Sequence, residues 1–185
     1  IDPQANILNN QFLTSPKSTF VIDARLLKRE PEPLPVNVAL HLGLGPGFNA
    51  GENCDAVIES RRSHTLGRVY WQGAAQPDSR QPEGDTRRVL RAPANGFVQP
   101  LKSLGEICRE GEGIAKVGDA VIVSPFDGLL RGLIHPRVEV TAGLKIGDVD
   151  SRTDPDLCRL VSDKALAVAG GVLEAVLVKL SQMEE

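Results

Sequence analysis

The sequence predicts an α+β fold rich in β-structure: an α/β-like first half, a β unit built on an internal repeat, and a closing helix. Three observations predict it. Four apolar stretches separated by turn residues fill residues 18–73. Residues 91–117 recur, without a gap, 32 positions later at 123–149. A helical apolar period sets in only after Ser162. The corresponding divisions are 1–85, 86–152 and 153–185.

The chain opens on "IDPQANIL", which reads as a strand end running into a loop and suggests the C-terminal part of something longer. Strand candidates follow at "STFVIDARLL" (18–27), "VNVALHLGLG" (36–45), "CDAVIES" (54–60) and "GRVYWQG" (67–73). The Pro-rich "REPEPLP" (29–35) between the first two is a loop. "QPDSRQPEGDTR" (76–87) is a polar connector to the next part.

Three patterns in this half suit chemistry. The first is "GLGPGFNAG", where Gly43, Gly45, Gly47 and Gly51 allow close backbone approach at a strand exit, so that N–H groups can face an anion. It lacks a Gly-Lys-Ser/Thr ending and Gly-x-Gly-x-x-Gly spacing, and Pro46 removes one donor, so a tight structural loop is the competing reading. The second is "VIESRRSHTLGR", with Glu59, Arg61, Arg62, His64 and Arg68 close together. An acid and an imidazole could move a proton there while guanidiniums hold an anion; a solvated turn with local ion pairs is the plainer alternative. The third is "DARLLKR", where Asp23 and Arg25 leave a strand together; a helix start with its acid first would look the same. No metal site is expected, because there is no His-x₃-His or Cys/His set and His41 and His135 stand far off in sequence.

In the repeat, Pro93, Gly96, Leu101, Gly111, Ile114 and Val117 meet Pro125, Gly128, Leu133, Gly143, Ile146 and Val149. Asn95 meets Asp127, Phe97 meets Leu129, Val98 meets Leu130 and Cys108 meets Val140. "PANG" and "PFDG" are turn formers, followed each time by short strands. Copies this short cannot bury a face alone, so two should pair about a pseudo-twofold axis. The pattern resembles the barrel-sandwich hybrid of biotinyl and lipoyl carrier domains, whose modified lysine sits on the hairpin joining the halves. Lys116 is near that hairpin but has neither the Met-Lys-Met flanks nor a preceding acid, so an outward strand residue is expected and a carrier role is the remotest alternative.

At the end of the chain, Ser162 and Asp163 are N-cap candidates for a helix to about 182. Leu166, Val168, Ala169, Val172, Leu173, Val176, Leu177 and Leu180 form a broad apolar face, expected to pack as a core helix, with an oligomer contact as the lesser use. Gly170-Gly171 within it weakens a helix by about 1 kcal/mol per glycine and points to close backbone packing.

The totals exclude several classes. A 41% hydrophobic, 24% charged chain of 185 residues can bury a core. A net charge of −3 gives no footprint for nucleic acid and no polybasic membrane patch. The longest apolar run is broken by Gly170, Gly171 and Glu174, so no membrane span is expected. Three widely spaced cysteines without Cys-x-x-Cys suggest reduced thiols in a cytoplasmic protein.

With these segments assembled, the chain resembles the accessory proteins of selenium-dependent molybdenum hydroxylases, the YqeB family. The matching stretches are "VIDARLLKR", "LGLGPGFNAGENCDAVIESRRSHTLGRV", "RVLRAPANGFV", "DGLLRGLI", "LKIGDVDSR" and "SDKALAVAGGVLEAVL", together spanning residues 21–178. The family pattern Glu-Thr-x-Arg-Gly-His stands here as Glu59-Ser60-Arg61-Arg62-Ser63-His64. Full-length members begin with a Gly-rich Rossmann-like segment, upstream of "IDPQAN". The resemblance implies a role in producing active hydroxylases that carry labile selenium. The expected partner is an apo molybdenum hydroxylase or a small anionic ligand, with contact to a molybdenum cofactor or a selenium donor and with self-association left open. On this reading Gly43, Gly45, Gly47, Gly51, Arg61, Arg68, Asp23 and Arg25 bind. The alternative is an enzyme with Glu59 and His64 as acid and base on a small anionic substrate.

Overall fold

The computed structural model describes residues 18–26, 29–34, 37–79 and 84–184. The opening "IDPQANIL", residues 27–28 of "DARLLKR", residue 35 of the Pro-rich loop and residues 80–83 of the connector lie outside them. The fold is α+β and β-rich, with several sheets and one C-terminal helix. It divides into two compact units, Ile1–Ser79 with Ser162–Glu185, and Arg80–Val161. The helix, expected to pack on the rest of the chain, thus shares the first unit.

In the first unit, β1 (Phe20–Asp23) and β2 (Leu40–Leu44) run parallel. A two-residue β3 (Asn49–Ala50) follows, then β4 (Ala56–Ile58) parallel to β2, and β5 (Val69–Tyr70) antiparallel to β4. The sheet order is β1-β2-β4-β5, and β3 pairs separately with β6 (Gly73–Ala74). All four expected strands are present. Parallel strands covered on both faces read as nearly continuous apolar runs, and the period of two sorts them. Leu40, Leu42, Ala56 and Ile58 face a core shared with the helix. Val57 joins Phe48, Ala50, Cys54 and Ala75 in a separate core.

The helix, α1 (Asp163–Met183), is capped by Ser162, whose Oγ accepts from the Ala165 N–H at 3.1 Å. It docks through Gly171 and Ala175, flanked by Val168, Val172 and Val176. A Cβ on Gly171 would lie 2.1 Å from the Gly67 carbonyl oxygen and 3.0 Å from Ile58 Cγ2, and Ala175 is wholly buried. Val168, Val172 and Val176 of the expected face pack half-buried on the core, whereas Leu166, Leu173, Leu177 and Leu180 are exposed, which narrows that face. Close approach to a backbone puts the small residues and valines against the sheet, and that turns the leucines outward. Gly170 meets nothing within 4 Å. By length and composition α1 would suffice to cross a membrane, against the expectation that its glycines and Glu174 forbid this.

The second unit begins with a 3₁₀ turn, Thr86–Arg88, capped by Asp85. It then runs through β7 (Val89–Arg91), β8 (Gly96–Pro100), β9 (Ile107–Cys108), β10 (Gly113–Val117), β11 (Ala120–Val123), β12 (Gly128–Leu133), β13 (Glu139–Val140) and β14 (Lys145–Asp150). Two sheets form, β11-β10-β8-β13 and β7-β14-β12-β9. Exchanging β7 with β11, β8 with β12, β9 with β13 and β10 with β14 turns one order into the other. Loop hydrogen bonds exchange the same way. Asn95 Oδ1 accepts from the Ala142 N–H at 2.8 Å, and Asp127 Oδ1 accepts from the Glu110 N–H at 2.7 Å. Gly111 N–H donates to Ser124 O at 2.9 Å, and Gly143 N–H to Ala92 O at 2.8 Å. One core takes Val98, Cys108, Ile114 and Val117 with Leu130, Val140, Ile146 and Val149.

Lys116 lies inside β10, opposite Val121 and Gln99 and ahead of the Gly118–Asp119 turn. Elsewhere in this unit, the end of β14 carries an ion-pair row. Asp148 accepts from Arg88 and Arg131, and Asp150 from Arg131 and Arg152 at 2.9 and 2.7 Å. The Arg152 hydrogen bonds, reinforced by the Arg131 charge, hold the Asp150 carboxyl down at about 2 against the opposing effect of burial.

Candidate functional site

Register places several of the expected site residues side by side. Asp23 pairs in register with Gly43, Gly43 with Val57, and Leu44 with Ile58, so Asp23, Gly45 and Glu59 line the carboxyl ends of β1, β2 and β4. That edge is where open parallel sheets hold ligands. Asp23 is buried and bound by Arg25, whose Nε lies 3.0 Å from each carboxylate oxygen. Burial pushes the Asp23 carboxyl up, but the hydrogen bonds and charge of Arg25 together outweigh it and hold it below its ordinary value.

Glu59 is fully buried. Its Oε1 accepts from the Arg61 N–H at 2.7 Å and its Oε2 from the Gln76 N–H at 2.8 Å. Its own N–H donates to Arg68 O and its carbonyl accepts from Gly67 N–H, both at 2.9 Å. The residue therefore clips the loop that carries Arg61, Arg62 and His64 to the segment at Gln76. Arg61, His64 and Arg68 are exposed on that loop. Arg62 bonds the Asp163 carboxylate at the start of α1, with Nη2 2.7 Å from Oδ1, and that guanidinium above all holds the Asp163 carboxyl down at about 2.

The glycines serve packing more than an open cradle. A Cβ on Gly43 would fall 2.1 Å from the Phe48 ring, and one on Gly47 2.1 Å from the Arg29 carbonyl oxygen. Gly45, at φ 77°, turns against Ser60, where a Cβ would lie 2.3 Å from Oγ. The loop's amides are largely engaged. Gly45 N–H donates to Ile58 O and Gly51 N–H to Cys54 O, each at 2.9 Å, and Asn49 N–H donates to Asn53 Oδ1 at 2.8 Å.

A groove of about 430 Å³ opens beside the same loop, lined by Glu30, His41, Glu52, Asn53, Cys54 and Asp55 among others. Its floor is His41, central in β2 and on the sheet face away from α1. The ring meets Phe48 edge-on, 5.9 Å between centroids at 88°. The His41 N–H donates to Asp55 Oδ2 at 2.7 Å. Its Nε2 is buried without a hydrogen-bond partner, the one such side-chain atom among the described residues. Sequence reasoning considered this residue only as a metal ligand and set it aside. The signal available was a histidine inside an otherwise apolar strand.

Burial lowers the His41 pKa below its ordinary 6.5, against the pull of the Asp23 and Asp55 carboxylates. Burial likewise pushes the Cys54 thiol up to about 11, with Asp55 adding to it, so it stays protonated at neutral pH. The sign of the pH effect follows. The unfolded chain takes up a proton at His41 before the fold does, so stability is full above about pH 6.5 and falls as pH drops toward the folded value. A second loss comes below the ordinary carboxyl value of 3.8, where Asp23, Asp150 and Asp163 are protonated. Urea midpoints measured from pH 8 down should show both falls, and His41→Leu should abolish the first alone.

Comparison with known proteins places the chain near one curated sequence. Over 190 residues it is 40% identical to "Uncharacterized protein YqeB" of Escherichia coli (strain K12), covering 98% of this chain and 34% of that protein. The likeness supports the YqeB resemblance. The chain spans about a third of the length of the YqeB relative it matches. No family model matches. Among solved structures, the crystal structure of succinylglutamatedesuccinylase/aspartoacylase from Rhodobacter sphaeroides aligns at 17% identity and a TM-score of 0.32, over 44% of this chain and 31% of that one. A likeness of that size says nothing about function.

Proposed function

We propose that the chain is a binding element of a YqeB-like cytoplasmic accessory protein in the maturation of selenium-dependent molybdenum hydroxylases. It handles the cofactor, the selenium donor or the apo-enzyme without acid–base chemistry of its own. The observation that carries the absence of chemistry is Glu59, whose two carboxylate oxygens are both taken by backbone amides in a fully buried position. The rival reading, Glu59 and His64 as acid and base on a small anion, requires the fully buried Glu59 carboxylate to be uncovered first. For binding, Arg61 and Arg68 are exposed on the loop that Glu59 clips, beside the Gly45 turn, and guanidiniums suit a phosphate or a related oxyanion.

The test is binding by the longest natural form of the protein, followed by thermal shift with selenophosphate, molybdopterin-type cofactors and inorganic phosphate. The expected result is a saturable shift with one of the first two, lost in Arg61→Ala or Arg68→Ala. Shifts that persist in both variants would refute the assignment to this loop.

We also infer that the second unit is a barrel-sandwich hybrid made of two copies spaced 32 residues apart. The exchange of strand orders, the paired Asn95 and Asp127 bonds and the shared core support this. Lys116 within a strand argues against a carrier lysine, so the unit serves as a rigid platform.

A further inference from the structure

The leucines that α1 turns away from the sheet form a stripe with an order of its own. Leu166, Gly170, Leu173, Leu177 and Leu180 stand four, three, four and three residues apart. That alternation is the seam of a coiled coil, which keeps one helix against another along its length. The four leucines are 43–61% exposed. At 3.6 residues per turn they lie on the side opposite Gly171 and Ala175, which meet the sheet. The sheet leaves the stripe unused, and its period fits a second helix.

Gly170 gives the seam its shape. Glycine is a poor choice in an exposed helix, and nothing lies within 4 Å of where its Cβ would be. Packing within the chain therefore supplies no reason for it. In the seam, Gly170 opens a gap just under one turn before Leu173. Two copies of α1 running antiparallel about a two-fold axis fit together through that gap. Each Leu173 enters the space over the second copy's Gly170, and each Leu166 meets the second copy's Leu177. Glu174 falls across from the second copy's Ala167, so like charges do not meet beside the seam. A parallel pair in register would set Gly170 over Gly170 and leave a void in mid-seam, and it would align the helix dipoles unfavourably. The stripe thus holds both halves of each contact, as an interface between identical chains requires.

Size and charge favour this occupant. A fully exposed leucine or methionine presents on the order of 200 Å², so the four leucines with Met183 offer roughly 500 Å² per copy, and a pair about 1,000 Å², where specific interfaces begin. A lipid surface is the competing occupant for so apolar a helix. Helices that lie on membranes carry Lys and Arg on their exposed flanks. Here the exposed charges are acidic, from Asp163, Glu174 and Glu184, while Lys164 and Lys179 are half-buried. An anionic bilayer would repel that flank.

We propose that the chain forms a two-fold symmetric dimer through α1, with the helices antiparallel and Leu173 of each copy seated over Gly170 of the other. This inference does not depend on the maturation role, nor on Arg61 and Arg68.

The test is sedimentation equilibrium of the full chain from about 1 to 500 µM. A reversible monomer–dimer equilibrium is expected, with a Kd of about 1–100 µM. Leu173→Gln/Leu177→Gln should weaken it at least about a hundredfold, and Gly170→Gln, which fills the gap with a better helix former, at least about tenfold. Both variants alter exposed positions, and melts at about 1 µM check that each still folds. Orientation is read by oxidative cross-linking of Leu166→Cys and Leu177→Cys proteins. An antiparallel seam cross-links their mixture and neither protein alone, because like positions lie about 16 Å apart along the axis, beyond disulfide reach. A monomer at every concentration would overturn the proposal. So would a dimer that both folded seam variants leave unchanged, or cross-linking of either cysteine protein by itself. Cosedimentation of the otherwise monomeric chain with phosphatidylcholine/phosphatidylglycerol vesicles would overturn it in favour of a lipid surface.

Discussion

Glu59→Ala is expected to lower the unfolding free energy by roughly 2–4 kcal/mol, because two backbone amides lose a charged acceptor in a buried site. The amides are those of Arg61 and Gln76, at 2.7 and 2.8 Å from the carboxylate oxygens. Glu59→Gln should do less damage. It keeps one acceptor, but turns an NH₂ group toward the other amide. Urea denaturation of the three proteins at pH 7.5 reads the order directly: wild type, then Gln, then Ala. A carboxylate held free for catalysis would behave otherwise, since its removal relieves desolvation and leaves stability unchanged or raised. A stability loss below about 0.5 kcal/mol in Glu59→Ala would therefore remove the structural account of this residue.

The adjacent glycines of α1 should respond in opposite directions. Gly171→Val places carbon where the Gly67 carbonyl oxygen lies, 2.1 Å from the first atom added, and backbone cannot move aside as a flexible side chain can. We expect a loss of about 3 kcal/mol or more, as the helix is pushed off β4 and the Gly67 turn. Gly170→Ala adds a methyl group into open space and should gain about 0.5–1 kcal/mol from helix propensity alone. Thermal melts of both variants check the helix's orientation on the sheet. Equal effects at the two positions would mean that a different face is docked.

Why the helix face was misread from sequence is instructive in physical terms. Hydropathy ranks side chains by their aversion to water, which marks Leu166, Leu173, Leu177 and Leu180 as core. Docking on a sheet at close range selects instead for what lets backbones approach, and Gly171 and Ala175 meet that condition. The strands were easier to read, because runs such as "FVID" and "LHLGL" are short and apolar-rich and are bounded by turn residues. The 32-residue spacing was also visible, since Pro93/Pro125 and Gly96/Gly128 sit at turns where few residues fit.

The site was legible only in part. Asp23, Gly45 and Glu59 were singled out by type, and the register does bring them to one edge. What sequence could not supply was their commitments. The partners of Glu59 are backbone amides, and backbone amides leave no trace in residue identity. The loop glycines looked like an anion cradle for the same reason, although the Gly45 and Gly51 amides are spent within the protein. His41 was weighed only as a metal ligand and set aside because it stands far in sequence from other candidates; only the missing partner of Nε2 sets it apart.

The central claim is that this chain acts by binding and not by acid–base chemistry at Glu59 and His64. His64 is exposed and tests the claim without disturbing the core. The direct measurement is the selenium content and activity of a selenium-dependent molybdenum hydroxylase purified from a host whose own copy of this protein is deleted and replaced by the His64→Ala variant. The account predicts full maturation with His64→Ala, and loss of maturation with the folded Arg61→Ala/Arg68→Ala variant. A hydroxylase left inactive by His64→Ala, while that variant folds and binds normally, would contradict it and place chemistry on the Glu59 loop.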